Sequence, residues 1–407
     1  MNKNKKIGIA FLTSILLCSI GHAQLYISGV SFTTQKNALV FVNGDVTYAG
    51  NAEQTVDHKG LLEMKGNWNN NALTDKKVFS DTSTGEVLMS AGLQTFNGAN
   101  TRFPNLSLAG IGKKQQFTTI EIMDTLNLTD RELDVNGYTA NVLWNDVNAV
   151  QYKEGGYVNT SASDKGWLIR NMSADAAYVF PMGNNNGSQY RYRPLIVTAQ
   201  KDGNVFGQFQ HYNPANDNYP TALKESDVAS VNDSWFHTLT TDNAQNYSVN
   251  AQLPYNSITD GEFTDMVNWD NTTRLWKKIA ATGPVLNNQY GDNDNIFATT
   301  QPLVLTNRSV TPIGLATHAQ DDIKIPNVIT PNGDGYNESW VISNIPQGST
   351  MDVVIFNRWN NVVYENKIYD NKWSGKGLNE GTYFFVLRLK MPNGTTKEYK
   401  GNILTLR

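Results

Sequence analysis

The sequence predicts an all-β protein with three parts: a β-solenoid-like N-terminal region, a central β-sandwich and a C-terminal small Ig-like antiparallel β-sandwich. Three observations carry the prediction. Short apolar runs alternate with Gly and Asn turns from residue 25 onward. In the first part these turns recur at a spacing of about twenty residues, with two or three strands per unit. The last part opens on a dense series of Pro, Gly and Asn turns and continues in strand-like runs to Arg407.

Residues 1–23 have the pattern of a signal peptide. Lys3, Lys5 and Lys6 make a basic start, residues 7–20 are apolar, and Gly21-His22-Ala23 supplies the small-x-small cleavage pattern before Gln24. The apolar run is too short for a permanent anchor, and no later stretch approaches the roughly 20 apolar residues of a transmembrane helix. Leu17 before Cys18 is too bulky for a lipoprotein signal. Cys18 is the single cysteine, so the mature chain has none, which excludes disulfides, zinc-thiolate sites and thiol nucleophiles. Cleavage removes three of the 33 basic side chains and none of the 37 acidic ones, deepening the net charge from -4 to -7. An acidic chain of this kind is a poor partner for nucleic acid.

Residues 24–172 form the solenoid-like region. The run 38–42 followed by Asn43-Gly44-Asp45 echoes the run 61–64 followed by Lys65-Gly66-Asn67, and Asn105-Leu106-Ser107-Leu108 recurs as Leu126-Asn127-Leu128. Coils of this kind bury their inward residues on one another. A plain antiparallel sandwich would also give short strands and turns. Residues 173–310 change to longer alternating runs, with Trp235, Tyr247, Trp269 and Trp276 spaced to fill the two inner faces of a sandwich. Residues 311–321 are weakly patterned and are expected to be a linker.

Residues 322–407 form the last domain. Thr330-Pro331-Asn332-Gly333-Asp334-Gly335 and Asn337 make a run of turns that no helix can cross. Strands are expected over residues 351–359, 362–364 and 381–389, with a final pair at 397–399 and 402–406. Further phrases follow in fixed order: Asn357-Arg358-Trp359, Trp373-Ser374-Gly375, Gly381-Thr382-Tyr383-Phe384 and Tyr399-Lys400-Gly401. These five blocks resemble the gliding-motility-associated C-terminal domain, the type B sorting signal of the type IX secretion system of Bacteroidetes. Asn360 stands where that family usually has Gly, and Ser374 where an acidic residue is usual. The resemblance implies export to the cell surface or medium, with the translocon and an associated outer-membrane protein as partners.

The chain offers little chemistry. It lacks the His-Glu-x-x-His, Gly-x-Ser-x-Gly and phosphate-loop patterns. His58, His211, His237 and His318 have no helical or strand companions for a metal site and are expected in surface or half-buried structural roles. Asp124, Asp130 and Asp134 are the carboxylates that a β-helical polysaccharide-degrading enzyme would use, and they suit coil corners equally well. Calcium is the one cofactor to weigh: Asn332, Asp334, Asn337 and Glu338 put four oxygen-bearing side chains in one loop, and residues 292–295 do something similar. Both sets are short of a full shell, so an Asx-rich turn without an ion is the expectation, and no metal or catalytic residue is assigned. The functional expectation is a non-enzymatic protein of adhesion or surface structure, gliding included; the alternatives are a glycan-binding module, for which an aromatic-lined groove would speak, and then an enzyme.

Overall fold

A computed structural model describes residues 23–407 except 51–54, 73–77, 162–165, 186, 188, 292–293, 319–322, 347, 392–393 and 395. The expected signal peptide therefore lies outside the described residues, apart from Ala23. The protein is nearly all β and divides into two compact units, the first ending at His318 and the second beginning at residue 319. None of the described residues forms a helix long and apolar enough to cross a membrane.

The first unit begins as a β-solenoid with parallel sheets. One sheet stacks seven strands, from Leu25–Ile27 through Val46–Tyr48 and Trp68–Asn70 to Tyr157–Asn159. A second stacks six, from Leu39–Val42 to Val150–Gln151. The repeat seen in the sequence is the coil itself: Leu39 pairs with Leu61 and Leu106 with Leu126. Alternate residues point inward, because successive side chains of a strand leave on opposite faces. Val46, Tyr48, Met64, Trp68, Val87, Met89 and Phe96 are thereby fully buried. Each such side chain contributes about 1.5–3 kcal/mol of apolar burial. Trp68, Phe79 and Phe103 stack across neighbouring coils at 5.2–5.8 Å.

The recurring glycines have a steric cause. A Cβ on Gly66 would lie 2.2 Å from the carbonyl carbon of Gly44, so successive corners can stack only without side chains. The Asp45 carboxylate accepts the Asn67 N–H at 2.7 Å and ties the same two corners.

The third face does not stop where the solenoid was expected to end. Its strand Trp167–Met172 pairs in parallel with Thr139–Val142 on one side and antiparallel with Gly203–Gln210 on the other. The sheet then continues through Phe236–Thr241, Thr311–His318, Asp265–Asp270 and Leu275–Lys278. A second sheet, with Ala177–Phe180, Leu195–Ala199, Tyr247–Asn256, Asp294–Thr299 and Ala281–Leu286, packs on it. One apolar core runs from Ile27 through to Leu315, so solenoid and sandwich are a single body. Trp235 and Tyr247 lie in that core as expected. Trp269 and Trp276 instead face away from it, packed with Val228, Val231, Val267 and Ala316.

The expected linker requires correction. Thr311–His318 is an inner strand that pairs with three others, and residues 312–316 are all buried. A strand buried on both faces loses the alternation that marks a half-exposed one, and Pro312 and Gly314 disguised it further. Residues 319–321 lie outside the described residues.

The second unit centres on one five-stranded sheet, in the order Val328–Ile329, Thr396–Thr405, Gly381–Lys390, Thr350–Phe356 and Val362–Asn366. Its first pair is parallel and the others antiparallel. Residues 397–399 and 402–406, expected as two strands, fall instead on one ten-residue strand, Thr396–Thr405, with Leu406 just beyond its end. Gly401 is no break in it: a Cβ there would meet the Phe385 ring at 2.8 Å, so the glycine makes room for that ring. The covering layer comes from loops that lay Trp340, Ile342, Tyr369 and Trp373 over the sheet, with Trp340 and Phe385 centroids 4.7 Å apart. Trp340 Nε1 donates to the Pro326 carbonyl at 2.6 Å, and Tyr369 Oη to the Trp340 carbonyl at 2.6 Å.

Candidate functional site

Strand register places most of the C-terminal motif at one end of the second unit. Ile329 is level with Thr405, Thr405 with Gly381, and Phe384 with Phe356. The segments 330–337 and 357–361 leave that end, and 373–381 returns to it. Thr330 N–H donates to the Asn337 carbonyl at 2.8 Å and closes the first loop. Gly333, Gly335 and Asn337 take left-handed φ values of 86°, 87° and 52°, and Pro331 cannot donate to a strand partner.

Within this loop three of the four calcium-candidate side chains, Asn332, Asp334 and Glu338, each accept one backbone N–H. Asn332 Oδ1 accepts from Asp334 N–H at 3.0 Å, Asp334 Oδ1 from Tyr336 N–H at 2.8 Å, and Glu338 Oε1 from Gly335 N–H at 3.1 Å. These bonds form a stacked Asx-turn arrangement. Of the other candidate loop, residues 292 and 293 lie outside the described residues. Among the described residues, no three His, Cys, Asp or Glu side chains cluster as a metal site would require.

The second loop turns on Asn357, whose Oδ1 accepts from Trp359 and Asn361 N–H groups, both at 3.0 Å. Asn360 has φ 64°, which explains why an Asn can occupy a position where the resembling family has Gly. Arg358 lies 5.3 Å over the Trp359 ring, and Trp359 is 73% exposed. With Gly381 and Tyr383 these residues line a hollow of about 230 Å³. Trp373, by contrast, is buried beside Gly375, whose carbonyl accepts from the Arg407 guanidinium at 2.9 Å. Lys400 and Gly401 lie in mid-strand, away from the loop end, where Lys400 pairs with Glu398 at 2.8 Å.

A second site, which the sequence did not signal, lies in the first unit where the last coil meets the sandwich. Tyr152, the strand neighbours Tyr190 and Tyr192, and Tyr290 come from three places in the chain to line a cleft of about 520 Å³. Its wall is held by buried charge: Asp260 accepts from Arg191 Nε at 3.0 Å and from Arg193 Nε at 2.7 Å, and Arg193 Nη2 donates to Thr259 Oγ1 at 2.9 Å. His211 Nδ1 faces Asn184 Oδ1 at 3.0 Å, while its Nε2 faces the Arg191 guanidinium, so Nε2 must be the unprotonated acceptor. Burial and the two guanidinium groups lower the His211 pKa to about 4. Burial likewise lowers that of His237, whose Nε2 donates to the Arg193 carbonyl at 2.9 Å, to about 4.

The histidines are more deeply placed than expected. His58, His211 and His237 are buried, and His318 is the exposed one of the four. Two of the three carboxylates weighed for an enzyme, Asp130 and Asp134, each have a basic partner. Asp130 is held by Arg131, whose hydrogen bonds lower its pKa to about 2. Asp134 accepts from Lys113 at 2.6 Å, Gln115 at 3.1 Å and the Asn136 N–H at 3.0 Å. The Asp124 N–H closes a coil corner on the Pro104 carbonyl at 3.0 Å.

Residues 323–405 match the family model of the CHU_C type IX secretion signal domain. No curated protein and no solved structure matches the chain. The second unit is thus the C-terminal sorting domain, and the chain is a protein exported by type IX secretion to the cell surface or the extracellular space.

Proposed function

We propose that the chain is a non-enzymatic surface protein. Residues 1–23 direct it across the inner membrane as a signal peptide, and the translocon with an associated outer-membrane protein takes the C-terminal unit. Residues 24–318 then act outside the cell in adhesion or surface structure, gliding included. The observation that supports this reading is the single core shared by solenoid and sandwich. Stacked β units of this kind make stiff, extended surfaces. The ion-paired state of Asp130 and Asp134 favours it over hydrolysis, which needs one carboxyl kept protonated and a second placed opposite it.

The reading is tested with purified mature protein and a deletion strain. The protein should release no reducing ends from a polysaccharide panel, and the strain should lose attachment or surface integrity. Hydrolysis that disappears in Asp134→Asn would replace this proposal with an enzyme.

A further inference from the structure

We propose that the tyrosine cleft at the end of the solenoid is a binding site for a neutral saccharide. The inference gives the adhesive reading a ligand class and rests on that reading only for placing the cleft outside the cell.

Size, chemistry and rigidity all point the same way. A cleft of about 520 Å³ falls within the range of small-ligand sites. A pyranose ring has flat C–H faces and a rim of hydroxyls, and tyrosine offers an apolar face with a polar tip to match both. Tyr190 is 47% exposed, and its ring rests on Tyr157 at 5.6 Å; Tyr157 Oη is in turn fixed by Glu132 Oε2 at 3.0 Å. The platform is therefore ordered before a ligand arrives, which lowers the entropy lost on binding. Tyr152 and Tyr192 form a second pair of rings at 6.3 Å.

Burial raises the pKa of Tyr152 and Tyr290, and that of Tyr190 to about 12, so these phenols stay neutral and can both donate and accept. Gln289 adds an exposed amide at the rim. The charged lining balances in sign, with Lys153 and Arg193 against Glu154 and Asp294, so the cleft carries no net charge of its own. Such balance favours a neutral sugar over a uronic acid or a phosphorylated ligand.

The test uses the mature full chain against neutral hexasaccharides of glucan, xylan, mannan and chitin, with polygalacturonate and a proline-rich peptide for contrast. Titration calorimetry should find at least one neutral oligosaccharide that binds. Tyr190→Ala and Gln289→Ala should each weaken it, the tyrosine change by about tenfold or more. Tyr26→Ala, a change to an exposed tyrosine of the first coil, should leave binding unaltered. Equal melting temperatures would establish that the variants are folded. No binding by any neutral oligosaccharide, wild-type affinity in Tyr190→Ala, or binding of only the polyanion or the peptide would overturn the proposal. Binding by a protein that fractionation finds in the periplasm would overturn surface display and leave the cleft standing.

Discussion

Lowering the pH from 7 to 5 should destabilise the first unit through two buried histidines. His211 and His237 have pKa values lowered to about 4, against an ordinary value of about 6.5 in the unfolded chain. The unfolded state therefore binds more protons between these values, and stability is lost as pH falls from 6.5 toward 4. At pH 5 each histidine accounts for about 2 kcal/mol, or about 4 kcal/mol together. Burial lowers the His58 pKa as well and adds in the same direction. For a unit of this length the loss corresponds to about 6 °C in melting temperature. Lowered carboxylate values, such as Asp130 and Asp270 at about 2, act below about pH 4 and leave this window to the histidines. Calorimetry of the mature protein at pH 7 and 5 measures the drop, and a His211→Gln, His237→Gln double variant should lose most of it. An unchanged melting temperature at pH 5, or an equal drop in the double variant, would refute the reasoning.

Three other changes have defined outcomes. Asp260→Asn leaves Arg191 and Arg193 buried without their carboxylate and should cost about 3–5 kcal/mol in urea unfolding. Gly401→Ala forces the Phe385 ring off Trp340 and should destabilise the sorting domain by about 1–3 kcal/mol, read by the melting of its tryptophan fluorescence. Chelation with EDTA should leave both melting transitions in place, because the oxygens of Asn332, Asp334 and Glu338 already have N–H partners; a fall of several degrees would assign an ion to the loop.

What the sequence revealed depended on how local the cause was. Gly44 and Gly66 recur because one corner stacks on the other, so the solenoid could be read from their spacing. The sorting domain was legible because its turns are made by residues that hydrogen-bond to near neighbours, as Asn357 does with Trp359 and Asn361. Thr311–His318 was missed because burial on both faces removed the alternating pattern. The depth of His211 and His237 was hidden for a related reason: their partners, Asn184, Arg191 and the Arg193 carbonyl, are distant in sequence. The cleft was invisible on the same ground, since Tyr152, Tyr190 and Tyr290 meet only when the last coil and the sandwich share one core.

Cell fractionation tests the central claim most directly. The full-length protein is produced in a type IX-competent cell and in a translocon-null strain, and is followed in periplasm, cell surface and medium. Surface or medium protein in the first strain and periplasmic retention in the second is the predicted result. The same distribution in both strains would contradict export through the C-terminal domain.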